Sequence, residues 1–148
     1  MDTGGVLTAD AIISVFLVTL LTGLIMSTAA ERLDEVYRSR SNLEARLLMD
    51  RTAHHINLVA AGGPGHHFII KLPGRLNHTG DYRLEINSTG VYGWFDGRRG
   101  FSPIHPVLIF DGYGNPGRIC LQPGRRYILR NTPRNGRNAV MIMELKGV

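Results

Sequence analysis

Residues 11–30 are the longest uncharged run in the chain, and leucine, isoleucine, valine, phenylalanine and alanine dominate it. As an α-helix rising ~1.5 Å per residue, the run is about 30 Å long, which matches one hydrocarbon core. Small residues are interspersed in it, and such residues let membrane helices approach one another closely. They are Ser14, Thr19, Thr22, Gly23, Ser27 and Thr28. The pattern therefore predicts a membrane-length helix that is suited to packing against other helices.

The helical pattern continues after residue 30, because residues 31–60 contain neither proline nor glycine. Apolar residues recur there at three- and four-residue steps, which predicts an amphipathic helix with one face packed on a core. This stripe consists of Leu33, Val36, Tyr37, Leu43, Leu47 and Leu48, and it leaves Arg38, Asp50 and Arg51 toward water. The sequence Gly62-Gly63-Pro64-Gly65 ends the helix. We therefore predict one helix over residues 6–61, about 80 Å long.

After Gly65 the period changes from helical to alternating, as in Tyr82-Arg83-Leu84-Glu85-Ile86. The predicted strands cover residues 68–72, 82–86, 91–95, 107–110, 118–121, 127–129 and 139–145. Turn sequences such as Asp111-Gly112 and Asn135-Gly136 separate them. We predict an α+β fold in which the long N-terminal helix, apolar and then amphipathic, packs on a small antiparallel β-sheet head domain. Its expected segments are a leader (1–5), a membrane or filament-core half-helix (6–30), an amphipathic helix (31–61) and a β-rich head (62–148).

Charge is segregated along the chain. Residues 1–61 carry five arginines against seven acidic residues, whereas residues 62–148 carry twelve lysines and arginines against five acidic residues. Such a basic domain suits an acidic partner. The candidate anionic-ligand patch comprises Arg98, Arg99, Arg125, Arg126 and Arg130, with Arg134 and Arg137 nearby. Proteins that bind single-stranded nucleic acid usually also present exposed aromatic side chains on which bases stack. Because strand spacing assigns most of Tyr92, Trp94, Phe95, Phe101 and Tyr127 to the core, we do not expect nucleic acid as a partner. We expect the arginines to solubilise the head or to pair with acidic helices of neighbouring copies.

The single cysteine, Cys120, excludes an internal disulfide framework and a cysteine-based zinc site. Its apolar surroundings, Ile119 and Leu121, predict a small core residue. Two N-glycosylation sequons begin at Asn77 and Asn87 beside predicted turns. Both are candidate modification sites on an outward-facing head.

The remaining motifs predict no catalysis. Residues 112–117 fit the dinucleotide-binding pattern, but a strand rather than the required helix follows them, so we interpret them as a hairpin turn. The pairs His54-His55 and His66-His67 each offer one metal ligand at most, because adjacent helical residues diverge by ~100°. The metalloprotease, nucleophile-elbow and P-loop patterns are absent. We expect no catalytic residue, no cofactor and no metal.

The residues before the apolar run carry the most specific motif. Gly5 precedes the run, and the lone carboxylate of Asp10 follows five residues later. An acid at the mouth of a membrane-length helix is costly to desolvate unless a positive group meets it. This arrangement resembles the type IV pilins, most closely the archaeal pilin-like proteins with a class III signal peptide. Thr8 stands where the archaeal pattern usually has Ser, Val6 where it often has Gln, and Asp10 where it usually has Glu.

The resemblance implies a structural protein rather than an enzyme. A prepilin peptidase would cut between Gly5 and Val6, and the new amine of Val6 would pair with Asp10 of a neighbouring copy. The implied partners are copies of this chain or other pilin-like subunits, together with the pilus assembly machinery. The resemblance implies that the chain is first a single-pass membrane protein with its head outside the cell. It then becomes part of an extracellular surface filament.

Four other interpretations stay open. Residues 1–30 also suit an ordinary membrane anchor or a secretory signal cut near Ala29-Ala30, although the leader contains no lysine or arginine. The positive-inside rule, applied to Arg32, Arg38, Arg40 and Arg46 after the span, places the head in the cytoplasm. In the alternative function, a membrane-anchored extracellular module with a basic β-domain binds an acidic glycan, envelope or nucleic-acid ligand and never polymerises.

Overall fold

One long helix precedes eight strands in the computed structural model, which describes residues 3–77 and 80–145, with side chains from residue 9 onward. Helix α1 is Thr3–Ala61. The strands are β1 (His67–Lys71), β2 (Tyr82–Asn87), β3 (Gly90–Phe95), β4 (Arg98–Pro103), β5 (Leu108–Asp111), β6 (Ile119–Leu121), β7 (Arg126–Asn131) and β8 (Ala139–Leu145). The predicted α+β class and the end of the helix at Ala61 are both confirmed.

The strands form two four-stranded sheets rather than one. Sheet 1 has the order β1-β7-β8-β5, and sheet 2 has the order β4-β3-β2-β6. All the strand pairs are antiparallel except β5 with β8. The predicted hairpin turn over residues 112–117 is confirmed, because Pro116 pairs antiparallel with Phe110 and the N–H of Asp111 donates to the Asn115 carbonyl oxygen at 3.0 Å. The segment that contains this turn crosses from sheet 1 to sheet 2. It is a connection between sheets that ends in a strand.

The chain divides into two compact units inside α1, between Ser39 and Arg40. The first contains only helix, and every described side chain from residue 9 to residue 39 is exposed. The second, which we call the head unit, contains residues 40–61 of α1 and all eight strands. The end of the helix therefore shares a core with both sheets, as the amphipathic pattern predicted.

The helix face that enters this core is not the predicted leucine stripe. The buried face consists of Ala45, Met49, Thr52, Ala53, Ile56 and Val59. The exposed fractions of Leu33, Val36, Tyr37, Leu43 and Leu47 lie between 48% and 67%, and Leu48 alone of the stripe is partly buried against the core. The stripe prediction is therefore wrong: Leu43 and Leu47 of the head unit are exposed, and other residues of the helix form its buried face.

Two glycines in sheet 2 explain which face is buried. Gly93 of β3 and Gly100 of β4 are paired across the two strands. A Cβ atom added at Gly100 would lie 2.2 Å from Cε of Met49, and one added at Gly93 would lie 2.8 Å from its Sδ. Since the sheet has no side chain at this point, the helix approaches it through Met49, flanked on the helix by Ala45 and Ala53.

A buried asparagine on β7 satisfies the end of the helix. Asn131 is 2% exposed, and its Nδ2 donates hydrogen bonds of 3.0 Å to the carbonyl oxygens of Val59 and Ala60. The last carbonyls of a helix have no partner within the helix. Asn131 therefore connects the C-terminus of α1 to sheet 1.

Seven of the eight strands were predicted, and β4 was missed. Its sequence, Arg98-Arg99-Gly100-Phe101-Ser102-Pro103, has no alternating apolar pattern. It pairs with β3 through a two-residue turn at Asp96 and Gly97, whose φ angles are 47° and 73°. Positive φ at both central positions is typical of a type I′ hairpin, for which Asp-Gly is a favoured sequence.

Candidate functional site

The first unit of α1 presents an apolar surface without any covering. Its membrane-length run has no buried residue, and the helix is long and apolar enough to cross a membrane. Exposed fractions of the large apolar side chains there lie between 48% and 70%. Such a surface is suited to contact with lipid or with other helices, because water disfavours a contiguous apolar patch of this size.

The threonines in this run satisfy their hydroxyl groups within the helix. Thr19 Oγ1 donates to the carbonyl oxygen of Val15 at 2.7 Å, and Thr22 Oγ1 donates to that of Val18 at 2.7 Å. Thr28 Oγ1 lies 2.9 Å from the Ile25 carbonyl oxygen and bonds it in the same way. A hydroxyl that is already bonded carries little cost in an apolar medium. These polar residues are therefore compatible with either lipid or a packed helix neighbour.

The candidate processing and pairing residues lie at the start of this helix. Gly5 and Val6 belong to the continuous α1 backbone, but the side chain of Val6 lies outside the described residues. Asp10 is exposed. No lysine or arginine precedes Arg32 in the sequence. The cleavage after Gly5 and the pairing of Asp10 with Val6 stay predictions.

The head unit keeps an apolar stripe on the outside of its helix. Leu43, Leu47 and Leu58 are 67%, 48% and 44% exposed. Their separations of four and eleven residues bring them to one side of an α-helix. This stripe lies opposite the face formed by Met49, Ala53 and Ile56, so the helix is apolar on two sides.

The five arginines of the predicted anionic-ligand patch are distributed over both sheets. Arg126 and Arg130 are exposed on β7, where they pair in register with Lys71 and His67 of β1. Arg125 precedes β7, and its Nη1 lies 3.5 Å from Oε1 of Glu144.

The other two arginines of the patch lie on β4 in sheet 2. Arg98 donates to Oδ1 of Asn42 at 2.9 Å, whereas Arg99 lies against Tyr92 and Trp94. Successive residues of a strand point to opposite faces. The five residues therefore do not lie on one sheet face.

Two predictions about core residues of the strands are wrong. Phe95 and Tyr127 are buried, but Tyr92 and Trp94 are only partly buried and Phe101 is 51% exposed, so most of the five aromatic residues are not in the core. Cys120 is exposed as well. The alternation of side chains along a strand explains the exposure of Cys120. Leu121 of the short strand β6 points into the core, so the neighbouring Cys120 points outward. There Nη2 of Arg83 donates to its Sγ at 3.3 Å.

The histidines near the end of α1 have a structural setting. The ring of His55 stacks on Phe68 with centroids 4.1 Å apart, and its buried Nδ1 has no hydrogen-bond partner among the described residues. Burial, followed by the nearby His54 and Arg51, lowers the pKa of His55. Within residues 9–77 and 80–145, no three histidine, cysteine, aspartate or glutamate side chains form a metal-binding group.

A carboxylate organises the connection between the sheets. Oδ1 of Asp111 accepts hydrogen bonds from the backbone N–H groups of Tyr113 at 2.9 Å and Asn115 at 2.8 Å. These donors, with the Asn115 backbone bond as the largest contribution, lower the pKa of Asp111. The glycine-rich pattern of residues 112–117 therefore belongs to a loop that is folded around an acid.

The two sequons differ in their surroundings. Asn77 is exposed, but the other residues of its sequon lie outside the described residues. Asn87 ends β2, and its Oδ1 accepts from the N–H groups of Thr89 at 2.9 Å and Gly90 at 3.1 Å. Its side chain thus shapes the β2–β3 turn, and glycosylation at either site stays a prediction.

Comparisons of this chain with known protein families, with curated proteins and with solved structures found no match.

Proposed function

We propose that this chain is a structural, non-enzymatic, pilin-like subunit of an archaeal type IV pilus-type surface filament. Its N-terminal helix holds it in the membrane before assembly and then packs with helices of other subunits. The observation that carries this proposal is that the exposed apolar surface of α1 extends well past a membrane-length run.

A membrane anchor alone needs only the uncharged run. About 20 apolar residues span a hydrocarbon core, and residues 11–30 supply that number. Beyond them the chain carries Glu31 and Arg32, which belong in water. Yet Val36, Leu43 and Leu47 remain exposed further along the helix. These side chains lie beyond the segment that lipid needs to cover, and neighbouring helices in a filament bury them.

Close packing of such helices suits the composition of the run. Thr19, Gly23 and Ser27 follow one another at four-residue steps and therefore share a helix face. A Cβ atom added at Gly23 would meet nothing within 4 Å. Small residues at this spacing let helix backbones approach in a membrane or a helical bundle.

The carboxylate of Asp10 gives the packing a register. When helices are buried together, an unpaired carboxylate costs several kcal/mol, so it needs a cation. Since Arg32 is the first cationic side chain in the sequence, the nearest candidate is the α-amino group that cleavage after Gly5 would create on Val6 of a neighbouring copy.

The proposal is tested at the native N-terminus and in the filament. We expect mass spectrometry of the native protein to find a mature chain that begins at Val6. Asp10→Ala should reduce the number or length of surface filaments in electron micrographs, whereas Asp10→Glu, which keeps the charge, should not. A native chain that begins at Met1 or Glu31, or normal filaments in Asp10→Ala cells, contradicts the proposal.

The outer stripe of the head unit provides a second test. Leu43→Ser with Leu47→Ser should reduce filament assembly while leaving the thermal unfolding of the head unchanged, because both side chains point away from its core. Tyr113→Ser is the matched control, since Tyr113 is also exposed, at 94%, but lies in the loop after β5. Equal loss of filaments in both variants contradicts the role of the stripe.

A second candidate function is a tethered surface module that never polymerises. It is favoured by the outer sheet faces, which carry exposed arginines on both β4 and β7. If the native protein forms no filament alone or beside a partner pilin, this function replaces the first.

A further inference from the structure

The outer face of sheet 2 carries a row of stacked side chains from three neighbouring strands. Arg83 of β2 and Arg99 of β4 are the register partners of Trp94 on β3. Their guanidinium carbons lie 5.9 Å and 5.4 Å from the centre of the Trp94 ring. The guanidinium of Arg99 also lies 4.9 Å from the Tyr92 ring, whose centre is 4.8 Å from that of Phe101. We call these five residues the arginine–aromatic row.

The charge on this face is predominantly positive. Arg83, Arg99 and Arg118 are exposed, and Glu85 is the acid that the register places among them. The Glu85 side chain is 13% exposed, and its Oε1 lies 3.6 Å from Nε of Arg118. Neither Arg83 nor Arg99 forms a salt bridge with a described carboxylate, although Glu85 is close enough to interact electrostatically with Arg83, and both arginines are exposed.

The row differs from an ordinary charged surface. Arginines that only keep a domain soluble do not need stacked rings beneath them, and partly exposed Tyr92 and Trp94 with exposed Phe101 are costly in water. Stacking fixes the planes of the guanidinium groups. Nη2 of Arg83 donates to Sγ of Cys120, and the remaining N–H groups of the two arginines face the solvent. The face is thus ordered in advance for an anionic ligand that also has flat surfaces.

We propose that the outer face of sheet 2 binds single-stranded nucleic acid. Arg83 and Arg99 bind backbone phosphates, and bases stack on Phe101 and on the exposed parts of the Tyr92 and Trp94 rings. Three strands at ~4.8 Å spacing give the row a width of about 10 Å. This width suits the two or three bases that stack on the β-sheet of RNA-recognition domains. Positive charge combined with aromatic platforms is the usual composition of such surfaces.

An acidic polysaccharide fits the row less well. Its carboxylates would pair with Arg83 and Arg99 as phosphates would, but a pyranose ring offers only C–H groups, and no π face, to the aromatic rings of the row. Bases stack on both aromatic rings and guanidinium planes. In this row the two kinds of plane alternate, with Arg99 in contact with two rings. The arrangement therefore favours bases over sugars.

Trp94 allows a direct test, because it is the only tryptophan in the chain. The full-length protein in nonionic detergent is titrated with an oligothymidylate of about 16 nucleotides, the upper end of common single-strand site sizes. We expect saturable quenching of Trp94 fluorescence. Affinity should fall with salt, with a log–log slope of about −1.4 if two phosphates are contacted.

Matched variants separate this face from charge alone. Arg83→Gln with Arg99→Gln should lower the affinity about tenfold or more and remove most of the salt slope. Arg126→Gln with Arg130→Gln removes the same charge from sheet 1, and it should change the affinity less than about twofold if the site is local. Phe101→Ala should weaken binding about fivefold or more through lost stacking.

The outcomes against the proposal are distinct. Equal weakening by the two arginine pairs, in variants whose circular dichroism matches the parent, indicates non-specific charge and overturns it. Polygalacturonate that binds as tightly as the oligonucleotide assigns the face to acidic glycans instead. Absence of quenching at physiological salt also overturns it. None of these results bears on filament formation, which depends on α1.

Discussion

Two segments of the same helix differ completely in what surrounds them. Residues 9–39 are exposed on all sides, whereas residues 40–61 bury one face against the strands. Nothing in the backbone marks the change, because α1 is continuous from Thr3 to Ala61. The difference lies in the partners that the fold supplies to each segment. The exposed apolar side chains of the first segment are therefore available for contact with lipid or with other chains.

The second segment also shows that the largest apolar residues need not form the core face. Leu43 and Leu47 point outward, while the narrower Ala45 and Ala53 flank Met49 over the glycines of sheet 2. Close packing of a helix on a sheet favours small side chains on the contacting face, because each added methyl group must fit into a densely packed interior. The leucines are therefore left for contacts outside the head unit.

The largest expected effect separates the two faces of this segment. Ile56→Asp should lower the free energy of unfolding by more than about 4 kcal/mol. The Ile56 side chain is fully buried, so the substitution places an unpaired carboxylate in the core. Leu47→Asp, on the outer face, should change it by less than about 1 kcal/mol. Urea denaturation followed by circular dichroism measures both. A similar loss in the two variants would mean that the leucine stripe is buried as well as the alanine face.

The contact that fixes the buried segment at its end should have an intermediate effect. Asn131→Ala removes both hydrogen bonds to the Val59 and Ala60 carbonyls, so we expect a loss of about 1–3 kcal/mol in the same denaturation experiment. Asn131→Asp should be worse, because a carboxylate faces the negative end of the helix dipole.

Asn42→Ala is the matched control for this effect. It removes one exposed hydrogen bond to Arg98 and should cost less than about 0.5 kcal/mol. If Asn131→Ala is as mild as Asn42→Ala, then Asn131 does not stabilise the end of the helix.

Much of the fold could be predicted because periodicity reports local structure. The apolar run and the absence of proline and glycine from residues 31–60 predicted the helix, and alternation predicted β2. The face of a helix that becomes buried depends on the shape of its partner, however. Gly93 and Gly100 set that shape from far along the chain, so the pattern of residues 31–60 alone could not reveal it.

The arginine–aromatic row was missed for a related reason. Placing Arg99 beside Trp94 requires the register of β3 and β4, and β4 had no apolar alternation to predict it. One local signal was available: Asp96-Gly97 is a two-residue hairpin sequence, which pairs Phe95 with Arg98 and Trp94 with Arg99. Asn131 offered no such signal, because a buried capping residue is defined only by the helix end that it meets.

The smallest expected effect concerns alkaline pH in the head unit. Burial, with a smaller contribution from nearby Tyr127, raises the pKa of Tyr82 to about 12, and its hydroxyl donates to the Pro73 carbonyl oxygen at 2.6 Å. In the unfolded chain the pKa is near 10.0. Between these values the unfolded state has lost a proton that the folded state keeps, so stability should fall as pH rises from about 10 to about 12.

Tyr82→Phe tests this assignment through the pH dependence of its stability, rather than through its stability at a single pH. The variant loses one hydrogen bond and should be slightly less stable at pH 7, yet its urea midpoint should fall less between pH 9 and pH 11 than that of the parent. Burial also raises the pKa of Tyr127, so part of the slope should remain. Tyr113→Phe is the control, because Tyr113 is 94% exposed and should leave the slope unchanged. Equal slopes in parent and Tyr82→Phe would mean that the Tyr82 hydroxyl ionises as readily in the folded head as in the unfolded chain.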